Sequence, residues 1–197
     1  MTDQNSCYFP DQGSFSHMGR ALSDTVSGHE KEGGKGGYAG RFIIFLDVDG
    51  VLNCASTRDM LDGFVGIDQS KVALLREIVS YFDAVIVLSS SWKRGWHKTG
   101  KSFQDLFAQE LDKRLAMEGL VIADKTRDRG RNRGEGILQW ISRYGPVSGY
   151  LILDDERFDY AELGIGKHWL QTSFSFGGGL SIKHIAYIKK HSHLFFL

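Results

Sequence analysis

Short runs of apolar residues alternate along the chain with segments in which apolar residues recur at helical spacing. The runs are typical of strands buried on both faces of a parallel sheet, and we place them at 41–46, 84–88, 120–122, 150–153 and 168–172. The helical segments are 68–82, 102–118, 134–144 and one that follows Ser181. This alternation predicts an α/β fold with three layers around a Rossmann-like parallel sheet.

The predicted helices have recognisable starts and inward faces. Asp68 or Ser70 is a plausible N-cap of the first helix, and Ser181 is a good N-cap of the last. In the 102–118 segment, one side carries the residues Phe103, Leu106, Phe107, Leu111 and Leu115. We expect that side to pack on the sheet.

Residues 1–40 differ from the rest of the chain. They are rich in Gly, Ser, Asp and Gln and show no apolar periodicity, which is typical of a segment that cannot offset its ordering entropy. No strand precedes the glycines at 33–37, so they do not form a phosphate loop. We predict a flexible tail over 1–40 and one folded domain over 41–197.

Composition limits the binding partners and the cellular location that we expect for the chain. Lys+Arg and Asp+Glu both number 24, so no global field draws the chain to nucleic acid or an anionic membrane. Cys7 and Cys54 are too few for a disulfide framework, and we interpret Cys54 as a buried filler. The N-terminus lacks the apolar core of a secretory signal, and no run is long enough to span a membrane. We expect a cytoplasmic protein.

The most informative polar residues follow the first strand. Asp47 and Asp49 are two residues apart at the end of an apolar run, so their carboxylates are expected to share one small volume. Two like charges so close favour a cation between them, and a site with oxygen ligands alone suits Mg²⁺. Gly50 allows the chain to turn sharply after them.

Polar residues also follow other strands, where ligands of parallel sheets bind. Ser89 and Ser90 offer hydroxyls and backbone N–H groups for an oxyanion. Asp154 and Asp155 form an adjacent acidic pair, which indicates cation binding or solvation. Arg133 stands directly before a helix, at the end of a basic segment that begins at residue 125.

The order of these motifs resembles the HAD superfamily of phosphohydrolases. The matching segments are FLDVDGVLN, VLSSSW, RGEGILQW and LILDD, and the resemblance covers about 42–182. The closest resemblance is to the HAD domain of Swiss Army Knife RNA repair proteins, with its DVDGVLN and SSSW. The resemblance implies a magnesium-dependent phosphatase that acts through an aspartyl-phosphate.

The resemblance also assigns roles to residues. Asp47 would be the nucleophile, and Asp49 the acid and then the base. Ser89 would bind the phosphoryl group, with Ser90 as the alternative if the strand ends one residue later. Arg133 would neutralise charge beside the nucleophile. Mg²⁺ would be held by acidic residues that these motifs supply, with Asp49 contributing its main-chain carbonyl: Asp47, Asp49, Asp154 and Asp155.

Two features of the motifs stay open at this stage. Arg133 stands where the family usually has lysine, and its planar fork differs from a point charge; Lys125 could supply the cation instead. Of the remaining basic residues before the helix, Arg127, Arg129 and Arg131 are expected to be solvated or to steer phosphate weakly. We expect Gly50, Ser90 and Lys125 to contribute to substrate binding.

The motif spacing leaves no room for a sizeable cap domain. Only 39 residues separate Asp49 from Ser89 and 43 separate Ser89 from Arg133, and the predicted elements use most of them. In the family, an open site accompanies large substrates. We therefore hypothesise that the substrate is a phosphorylated RNA or DNA end, with a groove that Trp92, Trp96, His97 and Lys98 could line; core packing is the alternative for both tryptophans.

Other functional classes fit the motifs less well. A receiver-like phospho-acceptor has its acidic pair first, whereas here the Asp47–Asp49 motif comes first and the Asp154–Asp155 pair last. A HAD-fold binding module without turnover has no positive support in the motifs. A glycosyltransferase that uses its DxD for a nucleotide-sugar metal ranks last. His191 and His193 lack an evident third ligand, so we interpret them as solvated.

Overall fold

The computed structural model describes residues 37–128 and 132–197. The predicted tail therefore lies outside the described residues except for 37–40, as do Cys7, Arg129 and Arg131. In chain order the strands are β1 (Phe42–Leu46), β2 (Met60–Leu61), β3 (Phe64–Val65), β4 (Val85–Leu88), β5 (Ile122–Lys125), β6 (Gly149–Asp154) and β7 (Trp169–Gln171). The α-helices are α1 (Gln69–Phe82), α2 (Leu106–Ala116), α3 (Arg133–Tyr144) and α4 (Ile182–Lys190).

The predicted fold class is confirmed. Five strands form one parallel sheet in the order β5-β4-β1-β6-β7, and β2 pairs with β3 in a separate antiparallel hairpin. In the described part of the chain, this hairpin and several 3₁₀ turns are the additions to the predicted pattern. No described helix has both the length and the apolar character that a membrane crossing requires.

The central strand β1 explains the three layers. All five of its side chains are buried, and because successive side chains point to opposite faces, they divide between two hydrophobic cores. Phe42, Ile44 and Leu46 belong to the core that also contains residues of α1, α2 and α4. Ile43 and Phe45 belong to the core that contains α3 residues. Burial of each such side chain contributes roughly 1.5–3 kcal/mol.

The ends of two helices are set by local side-chain contacts. Asp68, not Ser70, caps α1, and its Oδ1 accepts from the Ser70 N–H at 2.9 Å. The predicted start of α2 at residue 102 was wrong. Asp105 caps the helix by accepting from the Ala108 N–H at 2.8 Å, so the helix begins at Leu106 and leaves Phe103 80% exposed in a preceding 3₁₀ turn.

Candidate active site

The register of the sheet brings three strand ends together. Leu46 is paired with Leu88 on one side and with Leu153 on the other. The residues that follow, Asp47, Ser89 and Asp154, therefore lie side by side. Two backbone hydrogen bonds continue this register, from the Asp47 N–H to the Leu153 carbonyl at 2.9 Å and from the Ser89 N–H to the Leu46 carbonyl at 2.8 Å.

Three carboxylates form a compact acidic cluster at this edge. Oxygens of Asp47, Asp154 and Asp155 lie within 4.8 Å of one another. Burial and the nearby Asp47 charge raise the pKa of Asp154, and the same two causes raise the pKa of Asp155 to about 6. Like charges held this close are unfavourable without a positive partner.

The cluster fits a hard divalent cation. It offers oxygen donors alone, which is the donor set that Mg²⁺ prefers. Gly50 helps to build the cradle, because a Cβ at this position would overlap the Asp155 side chain. Gly50 also has a φ of +68°, a conformation that glycine adopts at little cost. The three aspartates are therefore residues that could hold a metal ion.

Arg133, the first residue of α3, contacts the cluster with its guanidinium. Its Nη1 lies 2.9 Å from Asp47 Oδ2 and 2.5 Å from Asp154 Oδ2. Burial lowers the pKa of the guanidinium, but the two carboxylates raise it more, so the net shift is upward. The guanidinium also lies 4.2 Å from the ring centroid of Phe158. Tyr160 completes the surroundings of Asp154 by donating its hydroxyl to Oδ2 at 2.8 Å.

Asp49 lies beside the cluster but faces different partners. Its Oδ2 accepts from the Trp92 indole N–H at 2.9 Å, and its Oδ1 accepts from the Asn53 amide at 2.9 Å. Its side chain is not among the three carboxylates grouped around the candidate metal position. Asp47 and Asp49 therefore have different surroundings, although only one residue lies between them in the sequence.

The three serines after β4 are placed differently. Ser89 is fully buried, and its Oγ has no hydrogen-bond partner among the described residues. Ser90 is also buried, and its Oγ accepts from the Trp92 backbone N–H at 3.3 Å as the cap of the 3₁₀ turn Ser91–Arg94. The exposed Ser91 lines the pocket. Ser91 has no role predicted from the sequence, although it belongs to the serine run that follows β4.

The structure does not bring Lys125 to the acidic cluster. Its Nζ donates to the main-chain carbonyl of Lys93 at 2.7 Å and to that of Trp96. Lys93, which the sequence analysis missed, is a buried cation near the site. Its Nζ lies 2.6 Å from Asp128 Oδ1, and burial lowers its pKa although Asp128 opposes the shift.

A cavity of about 640 Å³ opens above the acidic residues. One part of its wall is charged, formed by Asp47, Asp49, Asp155, Glu156 and Arg133. The other part is largely apolar, formed by Phe64, Val65, Trp92, Phe107 and Phe174 together with the polar Ser91. Arg133 is the only cation among the described residues that line the cavity.

The apolar wall differs from the predicted groove. Trp92 does line the cavity, but Trp96 is fully buried and donates its indole N–H to Asp112 at 3.0 Å. His97 and Lys98 are exposed and do not line it. Phe64 lies on the β2–β3 hairpin, and its ring centroid is 5.7 Å from that of Phe107. Helical spacing placed Phe107 on an inward face, but it could not predict the contact with Phe64, because segments far apart in sequence form it.

A parallel sheet in the order β5-β4-β1-β6-β7 with acidic residues at its carboxyl edge is the architecture of a HAD-like α/β domain. The chain belongs to the family described as the HAD domain in Swiss Army Knife RNA repair proteins, which matches residues 43–183. No curated protein matches the chain, and neither does any solved structure. The family match confirms the resemblance seen in the motifs.

Proposed function

We propose that the chain is a Mg²⁺-dependent phosphomonoester hydrolase that works through an aspartyl-phosphate at Asp47. The observation that carries the proposal is that Asp47, Asp49 and Arg133 line one cavity, in which Asp47 forms an acidic cluster with Asp154 and Asp155. An acid, a nucleophile and a cation within one cavity are the parts that transfer of a phosphoryl group requires.

In the proposed first step, an Asp47 carboxylate oxygen attacks phosphorus and the bond to the ester oxygen breaks. Asp49 gives its proton to the departing oxygen. In the second step, a water molecule attacks the same phosphorus, Asp49 takes the water proton, and the Asp47 carboxylate leaves. Arg133 keeps Asp47 oriented through the contact of 2.9 Å. Ser91, which lines the cavity, and Ser89, whose Oγ has no hydrogen-bond partner among the described residues, are candidates to donate to phosphoryl oxygens.

Asp47, Asp154 and Asp155 would hold the magnesium ion. When bound, the ion would offset the charges of nucleophile and substrate and stabilise the transferring group. The fit rests on oxygen donors within 4.8 Å of one another and on the glycine cradle at position 50.

We further propose that the substrate is the phosphorylated end of a polynucleotide. The described additions around the site are a short hairpin and 3₁₀ turns, so the cavity is open to a large ester. Its aromatic side chains offer surfaces on which a base can stack, a contact worth about 1–3 kcal/mol per base. The family name refers to RNA repair, which agrees with such a substrate.

The activity is tested by a phosphate-release screen with and without Mg²⁺. The substrates are 3′- and 5′-phosphorylated RNA and DNA oligonucleotides, nucleoside monophosphates, sugar phosphates and phosphopeptides. We expect Mg²⁺-dependent release with preference for polynucleotide ends. Release from small metabolites alone would contradict the substrate proposal, and no release from any ester would favour a HAD-fold binding module.

The nucleophile is tested separately with Asp47→Asn. We expect this variant to lose turnover by at least about 10³-fold and to form no acid-stable, hydroxylamine-sensitive phosphoprotein. Asp62→Asn is a matched control, because Asp62 is exposed on the hairpin and its φ of 49° suits asparagine. Retained turnover in Asp47→Asn would identify another nucleophile.

A further inference from the structure

The carboxylate of Asp49 is held at both ends by nitrogen donors. The Trp92 indole N–H bonds to Oδ2 and the Asn53 amide bonds to Oδ1, each at 2.9 Å. The indole N–H can only donate, and the Asn53 amide nitrogen donates here as well. Rotation of the carboxylate about its χ angles would break both hydrogen bonds, so its orientation is restricted.

The two donors are themselves fixed. Asn53 is fully buried, and its Oδ1 accepts from the Gly50 N–H at 2.9 Å, which determines the direction of its amide. Trp92 is 9% exposed. Its backbone N–H is capped by Ser90 Oγ, and its ring packs edge-on against Phe107 at a centroid distance of 5.2 Å. The orientation of Asp49 is thus set by residues on two separate loops.

We propose that Trp92 and Asn53 are positioning residues that hold the Asp49 carboxylate towards the leaving oxygen of the substrate. This inference rests on the proposed hydrolase function. As the phosphorus–oxygen bond of the ester breaks and the bond to Asp47 forms, the proton of Asp49 moves to the departing oxygen. That transfer requires hydrogen-bond geometry between the two oxygens, which a freely rotating carboxylate would reach less often.

The proposal predicts a dependence on the leaving group. Alkyl phosphates release a poor leaving group that needs the proton, whereas p-nitrophenolate departs readily without one. Trp92→Phe removes the indole N–H and keeps most of the ring packing. We expect its kcat/KM to fall about 10-fold or more for an alkyl phosphate that carries no base to stack and by less than about 3-fold for p-nitrophenyl phosphate, since general acid catalysis contributes roughly 10²–10⁴-fold in total.

The chain provides a matched control for this substitution. Trp140 also donates its indole N–H to a half-buried aspartate, Asp124, at 3.0 Å, but Trp140 does not line the cavity. Trp140→Phe should leave the ratio of the two kcat/KM values unchanged. Equal losses on both substrates in Trp92→Phe would show that the ring only packs, which would overturn the inference while the hydrolase proposal stands.

A double-mutant cycle tests whether Trp92 acts through Asp49. In an Asp49→Asn background, Trp92→Phe should cause little further change in the ratio of kcat/KM for p-nitrophenyl phosphate to kcat/KM for the alkyl phosphate. An undiminished cost in that background would refute the positioning role.

The contact itself is measurable without turnover. In ¹⁵N–¹H spectra, Asp49→Ala should move the indole resonance of Trp92 and leave the indole resonances of the other three tryptophans in place. An unmoved Trp92 signal would overturn the inference even if the enzyme is active. If the Trp92 signal moves but the wild-type protein hydrolyses neither ester, the contact is confirmed and the hydrolase proposal is refuted. The positioning role then falls with the hydrolase proposal.

Discussion

Replacement of Arg133 by methionine is expected to destabilise the metal-free protein far more than an ordinary ion-pair substitution. The Arg133 side chain is 11% exposed, and its two partners, Asp47 and Asp154, are 6% and 0% exposed. Methionine fills a similar volume but leaves two buried carboxylates facing each other. Removal of one partner from a buried ion pair costs about 3–5 kcal/mol, and we expect a loss in that range at about pH 7.5.

The exposed pair of Arg41 and Asp83 provides the matched control. Its side chains are 45% and 95% exposed, so Arg41→Met should cost no more than about 1 kcal/mol. Both variants are compared with wild type by urea unfolding in the presence of a chelator. The difference between the two losses measures the contribution of burial.

Two conditions should reduce the loss of unfolding free energy in Arg133→Met. At about pH 5 the loss should be smaller, because the pKa values of Asp154 and Asp155 are already raised and the cluster can take up a proton. Mg²⁺ should restore part of the stability by replacing the missing positive charge. A loss below about 1 kcal/mol in chelator at about pH 7.5 would refute the view that Arg133 balances the buried carboxylates.

Three further outcomes follow from the same site. Gly50→Ala should destabilise the fold by about 1–2 kcal/mol because of its positive φ and should weaken Mg²⁺ binding by displacing Asp155; calorimetry with unchanged metal affinity would contradict this. The rise in Tm caused by Mg²⁺ should grow between about pH 5 and pH 7.5, since Asp155 has a pKa of about 6 and protons compete with the ion below it; a rise independent of pH would contradict that competition. Lys125→Met should keep kcat/KM within about 3-fold, because its ammonium binds main-chain carbonyls away from the cavity; a fall in kcat/KM well beyond that factor in a folded variant would return Lys125 to the reaction.

The buried sheet could be predicted because its central strands carry a local signal. All five residues of β1 and all six of β6 are buried. β1 is a continuous apolar run, and residues 150–153 form such a run within β6. The edge strand β5 does not give that signal. Its four residues include Asp124 and Lys125, and the apolar residues alone placed it at 120–122 instead of 122–125. Lys125 therefore belongs to a strand rather than to the loop that was expected to carry it.

The acidic cluster could be predicted from the sequence for the same reason. Its residues directly follow strands whose pairing fixes their neighbours, so Asp47 lies beside Asp154 once the parallel register is known. The apolar wall of the cavity depends on where loops and the β2–β3 hairpin fold back. The strands of that hairpin have two residues each, so they leave no periodicity to detect. Trp92 and Trp96 show the limit of spacing arguments: they are four residues apart, yet one lines the cavity and the other is core.

The balance of charge explains why the acidic cluster and Arg133 belong together. Among residues 37–128 and 132–197, four acids and one arginine line the cavity, and Asp154 adds a further buried acid behind it. A phosphate group would meet net repulsion from these residues alone. The single arginine is already engaged by two of the carboxylates, so it cannot offset both the cluster and an incoming dianion. A divalent cation held by the carboxylate oxygens would supply the missing positive charge. A site that is too acidic for its proposed substrate is thus consistent with a phosphatase whose metal and substrate bind interdependently.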